Sequence, residues 1–169
     1  MIKKKICMVG GYAVGKTSLV RKYVKGIYDD SYITTVGVKI DQRTETVDGQ
    51  DVQLMIWDVA GRDDFQVVQK SYLQAAAGFL YVADGTRRET LDAVQAEMAE
   101  IAALYPRAVP ALLAVNKHDL ADGWEIDDAS LAPFREQGVP IVYTSAKDGS
   151  NVEQAFASLA AQILASRAS

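Results

Sequence analysis

What is scarce in this chain of 169 residues removes several function classes at once. One cysteine, Cys7, excludes an intrachain disulfide, and with a single histidine beside it there is no Cys/His cluster to hold a metal. Cys7 lies in an apolar stretch of strand character and reads as a small buried hydrophobe rather than a reactive thiol. No apolar run approaches a membrane span, and Met1-Ile2-Lys3 is neither a secretory leader nor an N-myristoylation start. Positive charge is in deficit: 18 Lys and Arg stand against 22 Asp and Glu, a formal net charge of −4, which argues against a nucleic-acid binder. Lys3-Lys4-Lys5 is the only basic cluster and reads as a solvated approach to the first strand. Repeats, low-complexity tracts and linkers are absent as well. What remains, at 49% hydrophobic, is expected to be one soluble, cytoplasmic domain with a proper core.

The stretch that is present and specific is Gly10 to Thr17, GGYAVGKT, a complete G-x-x-x-x-G-K-[ST] loop. It follows the apolar run Lys5-Ile6-Cys7-Met8-Val9 and opens a segment of helical spacing from Ser18 to Val24. A glycine-rich turn from strand to helix aims backbone N–H groups and the positive end of a helix dipole at one point, where they can hold a polyphosphate. Gly10 and Gly15 let the backbone turn and approach the ligand closely. Lys16 is placed to reach the β- and γ-phosphates, and the Thr17 hydroxyl to ligate Mg²⁺.

Beyond the first helix, Gly26 to Thr35 is polar and aperiodic and reads as a loop. Val36 to Val47 and Gln50 to Trp57 are rich in strand formers and flank Asp48-Gly49, which predicts an antiparallel hairpin. Gly61 to Lys70 is a second polar loop drifting into helical spacing. Strand and helix then alternate: strand Gly78 to Ala83, helix from about Glu89 to Tyr105, strand Ala111 to Val115, helix from about Ala129 to Gln137, strand Pro140 to Tyr143, and a helix over Asn151 to Arg167 with Ser150 or Asn151 as its cap. The pattern predicts an α/β domain with a mostly parallel six-stranded sheet, one antiparallel strand (36–47) and about five helices. In such sheets ligands bind beyond the carboxyl ends of the strands. Chemistry-bearing residues stand there five times, at Gly10 to Thr17, Thr35, Asp58 to Gly61, Asn116 to Asp119 and Ser145 to Lys147.

The phosphate loop alone suits many nucleotide enzymes, but Asn116-Lys117-His118-Asp119 narrows the choice. A carboxylate at Asp119 can accept two hydrogen bonds from guanine N1–H and its exocyclic amine, an arrangement adenine does not offer. Asn116 is placed to brace this loop against the phosphate loop, and the Lys117 stem to lie along the base.

Taken in order, GGYAVGKT, YITTVGVKI around Thr35, WDVAG at Trp57 to Gly61, NKHD and SAK at Ser145 to Lys147 make the chain resemble a Ras-superfamily small GTPase over essentially its whole length, nearest the Rab-like branch. The resemblance implies a P-loop NTPase G domain over residues 1–169 that binds GTP or GDP with Mg²⁺. It implies nucleotide contacts from Gly11, Tyr12, Ala13, Val14, Gly15, Lys16, Thr17, Ser18, Tyr28, Thr35, Gly61, Asn116, Lys117, Asp119, Ser145, Ala146 and Lys147. Within that set, Tyr28 lies edge-on to guanine and the Ala146 N–H meets guanine O6. Thr17, Thr35 and Asp58 serve the metal, Asp58 through water. Lys16, Thr35, Gly61 and Arg62 stand at the catalytic positions, and loss of the γ-phosphate would release the loops around Thr35 and Gly61. Ile40, Trp57 and Tyr72 fall where Rab-like proteins carry an apolar patch for effector or regulator proteins, unless the three simply pack in the core.

Two positions depart from the family. Arg62 replaces the glutamine that orients the attacking water; arginine offers donors only and cannot aim a water molecule. Tyr12 replaces a small residue, and its ring is expected to crowd the γ-phosphate and any arginine supplied by a partner. Gln66 or Gln69 substitutes for the missing glutamine only if its loop folds back. The expected activity is therefore slow intrinsic GTP hydrolysis by a molecular switch. The alternatives are a nucleotide-bound interaction scaffold with little turnover, and a kinase, which would leave the NKHD and SAK segments without a role. The chain ends without a cysteine, so no prenyl anchor is expected on it, as in a prokaryotic or otherwise unanchored member, although a truncated chain or an excised domain of a larger protein would end the same way. His118, Arg87-Arg88, Asp63-Asp64 and Asp127-Asp128 read as solvated or helix-start residues.

Overall fold

A computed structural model of the chain describes residues 2–11, 13–24, 32–33, 38–58 and 71–167. The strands are β1 (Ile2–Val9), β2 (Tyr32–Ile33), β3 (Lys39–Val47), β4 (Gln50–Asp58), β5 (Gly78–Asp84), β6 (Ala111–Asn116) and β7 (Ile141–Tyr143). The α-helices among the described residues are α1 (Lys16–Val24), α2 (Arg88–Ala102), α3 (Asp128–Glu136) and α4 (Val152–Arg167), with a single 3₁₀ turn at Ala121–Gly123. They form one sheet in the order β2-β3-β4-β1-β5-β6-β7. The six expected strands are all present. A seventh, the two-residue β2, adds itself antiparallel to β3 inside the stretch read as loop. The helical drift over 61–70, and with it Tyr12, Tyr28, Thr35, Gly61, Arg62, Asp63, Asp64, Gln66 and Gln69, lies outside the described residues.

β3 and β4 pair antiparallel around Asp48 (φ 49°) and Gly49 (φ 79°), both left-handed, the pair of dihedrals that an Asp-Gly hairpin turn requires. β1 pairs in parallel with β4 on one side and β5 on the other, so the chain leaves β1 toward one half of the sheet and later returns to build the other half. That reversal opens a crevice at the carboxyl end of β1, where Gly10 begins.

Alternation along the strands divides the core in two. Ile6, Met8, Ile56, Leu80, Val82 and Leu112 face α1 and α4, packing with Val20, Tyr23, Phe156, Leu159 and Ile163. Cys7, Val9, Phe79, Tyr81, Leu113 and Val115 face α2 and α3, packing with Leu91, Val94, Leu131 and Phe134. β5 is buried along its whole length, as a parallel strand covered by helices on both faces must be. Burial pushes the Cys7 thiol up to about 12, so it is inert in the folded protein, as a core hydrophobe should be.

The helix starts follow local chemistry. Asp127 caps α3, its carboxylate accepting from the Ser130 N–H at 2.8 Å, with the Ser130 hydroxyl reciprocating toward the Asp127 N–H; this is the helix-start acid expected there. At α4, Asn151 takes a left-handed φ of 59° and turns its amide back to the Tyr143 carbonyl at 2.8 Å, locking the end of β7 to the helix start. α1 is held to α4 by Tyr23, whose ring stacks on Phe156 at 4.0 Å and 7°. Phe156→Ala removes that stack and leaves a cavity in a fully buried layer; a loss of about 3–5 kcal/mol is expected, read as a lower urea midpoint at unchanged slope.

Candidate functional site

Four of the five loops singled out in the sequence reach the described structure, at least in part, at one end of the sheet. In the first, Ala13 (φ 61°) and Gly15 (φ 101°) both take left-handed backbone. Gly15 cannot be replaced for a second reason: a Cβ there would lie 2.3 Å from Nδ2 of Asn116. Gly10 is equally confined, since its Cβ would meet the Val82 carbonyl at 2.5 Å. Lys16, at the start of α1, is 7% exposed and its ammonium donates to the Gly10 carbonyl at 2.9 Å. Burial lowers its pKa, while the negative fields of Asp58 and of Glu97 on α2 push it back up.

Thr17 and Asp58 come from different elements, α1 and the end of β4. Their side chains meet, the Thr17 hydroxyl donating to Asp58 Oδ2 at 2.5 Å. A hydroxyl and a buried carboxylate that converge are hard oxygen donors, a set that fits Mg²⁺.

Asn116, at the end of β6, is 2% exposed and spends its amide on both neighbouring loops. Nδ2 donates to the Val14 carbonyl at 3.0 Å; Oδ1 accepts from the Thr144 hydroxyl at 3.1 Å and the Ala146 N–H at 3.3 Å. The bracing role expected for Asn116 is thus present in the geometry, and it extends to the loop after β7. Lys117 donates to the Ala13 carbonyl at 3.0 Å. Asp119 accepts from the Ser145 hydroxyl at 2.8 Å, which fixes the carboxylate's orientation. Ser145 is buried and its Oγ also accepts from the Asp148 N–H, while Gly149 N–H closes the turn on the Ser145 carbonyl at 2.8 Å. His118 is exposed as expected, with its ring against Trp124 (5.3 Å) and Tyr143 (5.4 Å).

Of the three patch residues, Ile40 is 1% exposed, so the exposed apolar position expected there is absent: it sits on a buried position of β3, opposite Trp57. Trp57 and Tyr72 are half-buried, with rings 5.7 Å apart. Lys5 covers Trp57, its ammonium 3.9 Å from the ring centroid and 2.9 Å from the Gln74 carbonyl. Lys5 is therefore not merely part of a solvated cluster.

Sequence reasoning missed Asp84. It ends β5, is 1% exposed, and ion-pairs with Lys117 at 2.9 Å and with Arg87 at 3.0 Å. Arg87, read as a solvated charge, is instead drawn in by this buried carboxylate. The rule that places chemistry after each strand, applied to β5 as to its neighbours, singles out the same residue.

Comparison with known proteins agrees with this arrangement. The Ras family model matches residues 5–165. Ras-related protein RABD1 of Arabidopsis thaliana is 37% identical over 160 residues, spanning 94% of this chain and 78% of that protein. GTP-binding protein YPTM1 of Zea mays is 37% identical over 165 residues, spanning 97% and 79%. No helix of the described residues is long and apolar enough to cross a membrane.

Burial by itself would raise the Asp84 carboxyl, but hydrogen bonds from Thr86, Lys117 and Arg87 outweigh it and hold it near 2, below the ordinary 3.8. The folded state thus holds this group ionised where the unfolded chain protonates it. Its contribution to stability is fully present above about pH 4 and is lost as pH falls through about 2. In urea titrations between pH 5 and 2, Asp84→Asn is expected to flatten the acid limb of stability by up to one proton relative to wild type.

Proposed function

The chain belongs to the Ras family, and from that premise we propose that it is a guanine-nucleotide switch that binds GTP and GDP with Mg²⁺ and hydrolyses GTP slowly. The observation that carries the reading is the Asn116 amide, which joins the phosphate loop, the NKHD loop and the SAK loop through hydrogen bonds of 3.0 to 3.3 Å. A polyphosphate held by residues 10–17 then fixes where the base falls, beside Asp119. The Asp119 carboxylate, oriented by Ser145, selects guanine by accepting from two of its N–H groups. The Ala146 N–H, whose bond to Asn116 is long at 3.3 Å, is the proposed donor to guanine O6.

Lys16 and the backbone N–H groups of the loop oppose the charge of the β- and γ-phosphates, in a site whose burial strengthens every such interaction. Thr17 and Asp58 are the described residues that would hold Mg²⁺, with Thr35 from the sequence. When bound, the ion neutralises charge on the phosphate oxygens. Thr35 and Gly61 are the proposed sensors of the γ-phosphate, and Trp57 with Tyr72 the apolar surface that a regulator or effector protein would read.

The slow rate rests on composition at two positions. Arg62 supplies no acceptor to orient water, and Tyr12 places an aromatic ring in the phosphate loop. The second reading, a nucleotide-bound scaffold with little turnover, rests on the same two residues. Single-turnover hydrolysis of bound GTP separates them. For a slow switch, wild type hydrolyses at or below the order of 10⁻⁴ per second typical of unassisted members of this class, and Arg62→Gln with Tyr12→Gly accelerates it. A wild-type rate well above that value, lowered by Arg62→Gln, would instead make Arg62 a catalytic arginine.

A further inference from the structure

Asp84 carries more hydrogen bonds than its own turn requires. Its Oδ1 accepts from the Thr86 N–H at 2.9 Å and the Thr86 hydroxyl at 2.6 Å. Its Oδ2 accepts from Arg87 Nε at 3.0 Å. Those three donors lie within three residues of Asp84 and suffice to shape the passage from β5 into α2. The fourth donor does not belong to the turn: Lys117 reaches Oδ2 at 2.9 Å from the loop after β6.

Lys117 is held at both ends of an unfavourable conformation. Its φ of 68° is left-handed, a backbone conformation that L residues with a side chain avoid. At its far end the ammonium divides itself between Asp84 and the Ala13 carbonyl of the phosphate loop at 3.0 Å. The stem thereby spans from the loop after β6 toward the phosphate loop, along the side where the guanine-binding reading puts the base. The residue after Asp84 is also confined. The ring of Trp124 lies on Gly85 so closely that a Cβ there would come within 2.0 Å of it. The Glu125 N–H bonds the Gly85 carbonyl at 2.8 Å, and the Gly85 N–H bonds the Asn116 carbonyl at 2.9 Å. These contacts fix the backbone that follows Asp84 and join it to the end of β6, from which Lys117 departs.

From this geometry we propose that Asp84 is a positioning residue for the base pocket: through its ion pair it stretches Lys117 between β5 and the phosphate loop, and so sets how long guanine nucleotide stays bound. The inference rests on the nucleotide-binding reading above and names a residue that reading leaves out. Asp84 touches no part of the nucleotide; it acts through Lys117, and its loss is felt as faster release.

The test is the dissociation rate of a fluorescent GDP analogue, chased with excess GDP, for wild type, Asp84→Asn, Lys117→Met, the double variant and Thr90→Val. The Thr90 hydroxyl accepts from the Asp84 N–H at 2.8 Å and supports the same turn without touching the carboxylate, so its variant reports what loosening the turn alone does. Asp84→Asn is expected to release nucleotide at least about tenfold faster, the equivalent of one charge-assisted hydrogen bond. In the Lys117→Met background the same change should add less than about twofold, and Thr90→Val should stay within about twofold of wild type. An unchanged rate in Asp84→Asn, its full factor retained without Lys117, or an equal acceleration by Thr90→Val would each overturn the proposal. Should Asp84→Asn fail to fold, Asp84→Glu is held to the same limits. A wild-type protein that binds no guanine nucleotide would overturn the functional reading itself, a result distinct from these.

Discussion

The carboxamide of Asn116 is the interaction on which the site depends. It is buried at the end of β6, and its three hydrogen bonds tie loops that follow three different strands, β1, β6 and β7. Left unpaired at that depth, each polar atom would cost about 1–3 kcal/mol, so the three loops either take these positions together or lose the bonds together. Gly15 belongs to the same constraint, because only a residue without Cβ lets Nδ2 reach the Val14 carbonyl. The glycine in the phosphate loop therefore does two things: it supplies a left-handed φ of 101°, and it makes room for a side chain from the other half of the sheet.

Charge is organised around that frame in two separate places, each with one buried ion. On the phosphate side, Lys16 stands in the fields of Asp58 and Glu97, so the cation is compensated although it is deeply buried. On the base side, Asp84 is the buried ion and Lys117 and Arg87 are the cations brought to it. The polarity is opposite in the two places: a buried cation in the field of carboxylates at one, a buried carboxylate with cations drawn to it at the other. The Lys117 ammonium is already occupied by Asp84 and the Ala13 carbonyl, which holds its stem between the two loops.

The sheet and its helices were legible in the chain because each element carries its own period or punctuation. Asp48-Gly49 announces the hairpin, the buried run of β5 announces a parallel strand, and the cap at Asp127 announces α3. The loops were legible because their chemistry is local: a lysine and a threonine side by side in GKT, an asparagine and an aspartate in NKHD. What escaped was non-local. β2 is two residues long and gains its backbone bonds only from β3, so no period marks it. Ile40 has the composition of a surface patch and the environment of a core position, a difference set by register and not by residue type. Asp84 carries no signal of its own in the sequence, and Arg87 reads as a solvated charge, because Lys117, which makes the carboxylate worth burying, lies on another strand's loop.

Lys5 illustrates the same limit at the other end of the site. In sequence it is the last of three lysines; in the fold it alone lies over the Trp57 ring, because β1 and β4 run parallel with Lys5 registered on Met55, two places from Trp57. Burial lowers its pKa, and its ammonium is shared between an aromatic face and the Gln74 carbonyl just beyond residues 59–70. A cation in that position makes the exposed side of Trp57 less apolar than its residue type suggests, while holding the ring in one orientation against Tyr72. The surface at Trp57 and Tyr72 is therefore an aromatic pair edged by the positive charge of Lys5, and a protein docking on such a surface would pair an apolar contact with an acidic neighbour.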